Sequence, residues 1–222
     1  MRKLFHIFLR NKHTARRCAC FFLKMHNWAY RYAGLLSQYG EPDGLHPKHR
    51  LMNYHQWFVD RVKKDWVVLD VGCGNGALAY DLALSCRRVV AVDLNAENIA
   101  KAKRTYGREN IDYAVGDATD CALCPGADAV VLSNVLEHID RRVDFLKKLA
   151  RISPMILIRV PAIDRDWITP YKKELGVEWR LDPTHTIEYT FAELKDELQE
   201  AGLAVVEQER KFGEIYCVAA RR

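Results

Sequence analysis

Three glycines at a spacing of two, Gly72, Gly74 and Gly76, follow an apolar run that ends in Asp70, within the stretch 67–76, VVLDVGCGNG. Glycine reaches backbone conformations that a Cβ forbids, so the chain can turn tightly here and approach a ligand closely. A second apolar run, Val89–Val92, ends in Asp93, 17 residues after Gly76. A strand, a glycine turn, a helix and a second strand closed by a carboxylate predict a mononucleotide-binding βαβ half. The pattern implies a cofactor that contains a nucleoside.

The rest of the chain continues the alternation. Strands are expected at Trp66–Asp70, Val89–Val92, Ile111–Val115, Ala127–Leu132, Met155–Val160, Leu203–Gln208 and Ile215–Ala219. Helices are expected over 4–36 (one or two), 48–63, 76–84, Ala96–Tyr106, Leu136–Leu149 and 191–201. In the second of these, Leu51, Tyr54, Phe58 and Val62 recur at helical spacing and would face the core. Asn95 is a candidate cap, Thr190 with Glu193 forms a capping box, and Gly202 marks a helix end. Such an order predicts an α/β fold: a seven-stranded, Rossmann-like sheet, mostly parallel, with helices on both faces. The last two strands are too close for a crossover helix and must form an antiparallel hairpin. Ligands in these sheets sit beyond the carboxyl ends of the parallel strands. That rule should bring together Asp70, Asp93, Asp117, Asn134 and Pro161.

The net charge of +5 is unevenly spread. The first 40 residues carry eight Lys or Arg and no acid, whereas the other 182 hold 26 basic and 29 acidic side chains. Residues 1–47 therefore read as a basic, aromatic, mainly helical arm ahead of a domain over 48–222. The arm shows no heptad repeat, and its apolar run Cys18–Leu23 is too short for a secretory signal. Three roles stand open for it: a cap over a substrate mouth, a peripheral contact of residues 1–36 with an anionic membrane, or a contact with nucleic acid. Seven scattered cysteines do not frame a disulfide scaffold and suit a reducing, cytoplasmic setting, with the arm at the inner membrane face as its variant. No apolar run reaches the roughly 18–20 residues of a membrane span.

A carboxylate at the end of the second strand, Asp93, suits both hydroxyls of a ribose. Asp70, beside the glycine turn, would repel a pyrophosphate but attract a cofactor that carries an amino group and a sulfonium. Over about residues 66–220 the chain resembles the class I S-adenosylmethionine-dependent methyltransferases of the small-molecule, type 11 kind. The resemblance rests on VLDVGCGNG at 68–76, VAVDLN at 90–95, VGDAT at 115–119, LSNVLEHI at 132–139 and the terminal LAVVEQERKFGEIYCVAA. It implies S-adenosyl-L-methionine as cofactor, with Asp70 and Gly72 along its methionine part and Gly74 and Gly76 completing the turn. It also implies Asp93 on the ribose, Leu94 or Asn95 against the adenine, Asp117 and Ala118 on the adenine edge, and the Asn134 backbone near the methionine moiety.

The acceptor is less legible. A hydroxyl acceptor needs a base, and the candidates are His138, just after the fourth strand, and His185. The stretch 161–189 reads as a substrate-facing insertion whose Tyr171, Trp179, Arg180 and Asp182 would orient an organic, saccharide or lipid-linked acceptor. Arg159 and Arg165 are candidates for an anionic acceptor or for ion pairs. Cys121 and Cys124 form no zinc set, no tight acid cluster suggests magnesium, and no metal is expected. A noncatalytic cofactor-binding partner subunit and an RNA-directed enzyme using the basic arm are the alternatives.

Overall fold

A computed structural model describes residues 11–42, 46–118 and 126–222. The start of the arm and the Cys121 and Cys124 pair lie outside the described residues. In chain order the first elements are α1 (Lys12–Gly40), α2 (Lys48–Met52), α3 (Tyr54–Val59), β1 (Val67–Val71), α4 (Ala77–Ala83), β2 (Arg88–Asp93), α5 (Ala96–Tyr106) and β3 (Ile111–Val115). They are followed by β4 (Ala129–Ser133), a 3₁₀ turn (Leu136–His138), α6 (Arg142–Ile152), β5 (Met155–Pro161), α7 (Ile168–Glu174), α8 (Phe191–Glu200), β6 (Leu203–Lys211) and β7 (Glu214–Arg221). The chain divides into two compact units, residues 52–165 with 184–222 and residues 1–51 with 166–183.

The larger unit holds all seven strands in one sheet, ordered β3-β2-β1-β4-β5-β7-β6. Strands β1 to β5 pair in parallel, and β7 runs antiparallel to both β5 and β6. The mostly parallel sheet with a terminal hairpin is therefore as the sequence predicts. Side chains alternate across the strands, and both faces are covered. Leu69, Val90, Leu132 and Ile158 pack on one face with Leu146, Leu149, Leu194 and Leu198 of α6 and α8. Val68, Ala91, Val131 and Leu157 pack on the other with Phe58, Leu78, Leu82 and Ile99. The hairpin turns on Phe212 and Gly213, both at positive φ (51° and 76°), as a tight turn between twisted strands requires. Strand β6 consequently runs to Lys211, past the expected end at Gln208.

Caps fall where the side chains predict them. Asn95 Oδ1 accepts from the backbone N–H of Glu97 and Asn98, and Thr190 and Glu193 form a reciprocal capping box. Three helical expectations need correction. The helix over 48–63 breaks at Asn53, whose φ of 45° is left-handed, so Leu51 is exposed while Tyr54 and Phe58 are buried. The helix expected from Leu136 begins as a single 3₁₀ turn, and α6 starts only at Arg142. Asn134, at φ 57°, turns the chain sharply off β4, and apolar spacing does not register such a turn. The 161–189 stretch contains a helix, α7, that its mixed composition conceals.

In the smaller unit α1 is one continuous helix, capped by the Asn11 side chain. One of its faces meets the segment around α7: Arg16 Nη2 donates to the Glu174 carbonyl (3.5 Å), Asn27 Nδ2 to the Glu178 carbonyl (2.6 Å), and His26 Nδ1 lies 3.2 Å from Lys172 Nζ. On the helix, Phe21, Met25, Trp28, Tyr32, Leu35 and Tyr39 alternate at four and three residues, a heptad-like spacing at odds with the sequence expectation.

Gly76 fixes the start of α4. A Cβ there would lie 2.6 Å from the Tyr113 hydroxyl and 2.8 Å from Ala102 Cβ, at a φ of 85°. Gly76→Ala should therefore destabilise the fold by about 2 kcal/mol or more, combining overpacking with backbone strain. Urea unfolding followed by circular dichroism measures it, and an unchanged midpoint would contradict this packing.

Candidate active site

The glycine turn is pinned to the end of β2. Gly72 N and Cys73 N both donate to the Val92 carbonyl, at 2.8 and 3.1 Å. Asp93 then grips the turn from the next position: its Oδ2 accepts from Gly74 N (2.9 Å), and its Oδ1 from Asn95 N (2.8 Å) and Asn98 Nδ2 (3.3 Å). A carboxylate has about four acceptor directions. These contacts occupy three, and the remaining one on Oδ2 is available to a ribose hydroxyl.

Beyond the strand ends lies a cavity of about 800 Å³. Of the residues expected from sequence, Gly72, Asp93, Leu94, Asp117, Ala118, Asn134 and His138 line it. Leu94 is exposed and so presents an apolar surface suited to an adenine ring. Asp70, Gly74, Gly76 and Pro161 are not among its wall residues. A Cβ at Gly72 would strike Val135 Cγ2 at 2.8 Å, whereas one at Gly74 meets nothing within 4 Å. The glycines thus serve different ends: Gly72 and Gly76 admit close packing within the protein, and Gly74 needs only its positive φ. Sequence reading missed the far wall, where Phe145, Lys147, Lys148 and Arg151 of α6 face the cavity. Their helical spacing after the E-H pair was the available signal.

Asp70 is buried at the tip of β1, and its Oδ2 has no hydrogen-bond partner. Burial, helped by the charge of Asp93, pushes its carboxyl up to about 7. A buried acid left in this state calls for a cation beside it, and an amino group or sulfonium would supply one. That observation fits the cofactor the resemblance implies.

A second polar cluster stands at the cavity edge. Glu137 is fully buried; its Oε1 accepts from Asn134 Nδ2 (2.9 Å), its Oε2 has no partner, and burial raises it to about 7. His138 is exposed on the cavity wall with Nδ1 3.0 Å from Thr184 Oγ1. Its ring meets that of His185 edge to face at 4.7 Å. His185 is buried, with Nδ1 3.2 Å from Glu188 Oε1, and Arg165 pairs with the other oxygen of Glu188. The two histidines named from sequence are therefore brought together. Glu137, His138 and His185 also offer one ligand atom each within 4.8 Å of one another, a set with the geometry to hold a metal ion. The sequence expectation of no metal weighed the Cys121 and Cys124 pair and clusters of acids, and His185 joins this set from 47 residues beyond His138.

Arg159 is tied into the same region. It is buried, lies 3.6 Å from the Tyr54 ring centroid, ion-pairs with Glu214 (3.2 Å) and donates to Asn134 Oδ1. Of its two candidate fates, the ion pair is the one the structure holds. Tyr171, Trp179, Arg180 and Asp182 belong to the smaller unit. Within it, Tyr171 packs on Trp167, and Lys173 Nζ lies 4.8 Å over Trp179. Arg180 makes two 2.8 Å bonds to Glu178, which hold that carboxyl down at about 2.

The buried acids set a pH dependence. Both Asp70 and Glu137 bind their proton more tightly folded than unfolded, so their contribution to stability is full below about pH 4 and declines as pH rises toward 7. Replacing both with Asp70→Asn and Glu137→Gln should flatten the decline. Melting temperatures of parent and variant across that range measure it, and a difference between the two that does not change with pH would contradict the assignment.

Comparison with known proteins bears on this geometry. Residues 69–153 match the methyltransferase-domain family. A ubiquinone biosynthesis O-methyltransferase of Rhodopseudomonas palustris is 30% identical over 150 residues, which cover 64% of this chain and 59% of that protein. A probable S-adenosylmethionine-dependent methyltransferase of Mycolicibacterium smegmatis is 31% identical over 140 residues, 62% of this chain and 52% of that one. The chain thus spans little more than half the length of these curated relatives. Magnesium protoporphyrin IX methyltransferase from Synechocystis PCC 6803, solved with bound SAH, superposes with a TM-score of 0.61 at 18% identity, covering 79% of this chain and 83% of that one. That likeness shows the shared fold.

Proposed function

We propose that this chain, which carries a class I S-adenosylmethionine-dependent methyltransferase domain, transfers a methyl group to a hydroxyl of a small organic acceptor of the saccharide or lipid-linked class. The observation that carries the reading is the buried, unpartnered Asp70 Oδ2, one residue before Val71 of a cavity wall that also includes Asp93, Leu94 and Asp117. When bound, S-adenosylmethionine would supply the methyl group of a sulfonium, and loss of that methyl group would leave a neutral thioether. Asp93 would orient the ribose, Leu94 and Ala118 would flank the adenine with Asp117 at its edge, and Asp70 would compensate the positive charge of the methionine end.

The choice of an oxygen acceptor rests on the imidazole cluster and on the name of the Rhodopseudomonas relative. His138 on the cavity wall would take the hydroxyl proton that the acceptor gives up as it accepts the methyl group. His185, held by Glu188, stands behind His138 and supports its ring. Phe145 and the cations of α6 add an apolar and a basic contact for an acceptor with an acidic group.

Transfer of a labelled methyl group from S-adenosylmethionine to phenolic, saccharide and lipid-linked acceptors tests the proposal. His138→Gln should lower kcat by about 10²-fold or more with cofactor affinity kept. Asp93→Ala should instead weaken cofactor affinity about 10- to 100-fold, the cost of an unpaired ribose edge. Cofactor that binds but is never demethylated, even with a cell extract added, would reject the enzymatic reading in favour of a noncatalytic subunit.

A further inference from the structure

The long helix α1 exposes an apolar line that nothing in the methyl-transfer reading uses. Phe21, Met25, Trp28, Tyr32, Leu35 and Tyr39 are between 45% and 80% exposed. Their alternation at four and three residues places them in one row along the helix, and Phe22 and Leu36 widen it. The face that meets the segment around α7 carries Arg16, His26 and Asn27, so the row points away from that contact. Arg17, Lys24 and Arg31, all exposed, recur every seven residues beside the row. No acid occurs anywhere in Lys12–Gly40.

We propose that α1 lies in the plane of an anionic lipid surface, with the Phe21–Tyr39 row at the boundary between headgroups and acyl chains and Arg17, Lys24 and Arg31 against lipid phosphates. Three physical features select a lipid surface over a second copy of the helix. The row is rich in Trp and Tyr, whose polar tips stay wet at a membrane interface but lose water in a dry helix seam. With its flank it holds two Leu, the adjacent Leu35 and Leu36, and no Ile or Val, the residues that fill knobs-into-holes seams. The cationic line would meet itself in an antiparallel pair, whereas anionic headgroups complement it. Among the described residues no helix is long and apolar enough to cross a membrane, so the contact is along the surface.

The inference is independent of catalysis, and its test uses no cofactor. The full chain is floated with vesicles of phosphatidylcholine containing about one-third phosphatidylglycerol, and with phosphatidylcholine alone. It should rise with the anionic vesicles, respond to added salt and bind the neutral ones more than tenfold more weakly. The combined Phe21→Ser, Trp28→Ser and Leu35→Ser variant should lose more than tenfold in partitioning, and so should the combined Arg17→Glu, Lys24→Glu and Arg31→Glu variant, which keeps the apolar row intact. Both should retain the parent circular dichroism spectrum, since every altered side chain is exposed. Failure to float with anionic vesicles, or flotation that neither variant reduces, would overturn the proposal. So would a dimer in light scattering that the serine variant dissolves, or salt-sensitive RNA binding that displaces the vesicles.

Discussion

One carboxylate organises the upper edge of this sheet. Asp93 takes the Gly74 amide on one oxygen and the Asn95 amide on the other, so the glycine turn and the start of α5 share a single anchor. Such bonds to an ionised acceptor are about twice as strong as neutral ones. The glycine turn is held from beneath by the Val92 carbonyl as well. The cavity wall from Val71 to Leu94 therefore has little freedom to move, which is what a site that orients a cofactor requires. The same carboxylate raises the cost of ionising Asp70 close by, so the two acids at neighbouring strand tips are unlike: one is bonded by amides, the other is buried with an unpartnered Oδ2.

A second anchor secures the opposite wall. Asn134 adopts a left-handed conformation at the end of β4, and its side chain bridges the Arg159 guanidinium and the Glu137 carboxyl. Arg159 in turn leans on Tyr54 and Glu214. Removing one partner from such a buried set typically costs about 3–5 kcal/mol, because a charge is left without compensation. The set thus links the cavity edge to β5, β7 and the α3 helix, and it fixes the turn from which Glu137 and His138 project.

Most of the sheet was legible because parallel strands buried on both faces read as apolar runs, and because the glycine turn has few other structural uses. This part of the cavity wall was legible for the same reason: Asp93, Asp117 and Asn134 lie at or just past strand ends. The helix after β4 was not, since the reversal at Asn134 depends on a side-chain network with Arg159, 25 residues away. Nor could spacing reveal that Glu137 is fully buried or that His185 packs on His138, contacts that only the loop before α8 creates. The basic wall of α6 and the exposed row on α1 were both present as periodicities, but periodicity alone does not say which face meets solvent.

The central claim is that the buried Asp70 carboxyl awaits a cationic adenosine cofactor. Calorimetric titration with S-adenosylmethionine at about pH 6.5, in two buffers of different ionisation enthalpy, tests it directly, because a carboxyl near 7 is mostly protonated there and a neighbouring cation should make it ionise. The account predicts saturable binding with release of a sizeable fraction of a proton, and no such release from Asp70→Asn. Binding of NADH with no heat from S-adenosylmethionine or its demethylated product would contradict it.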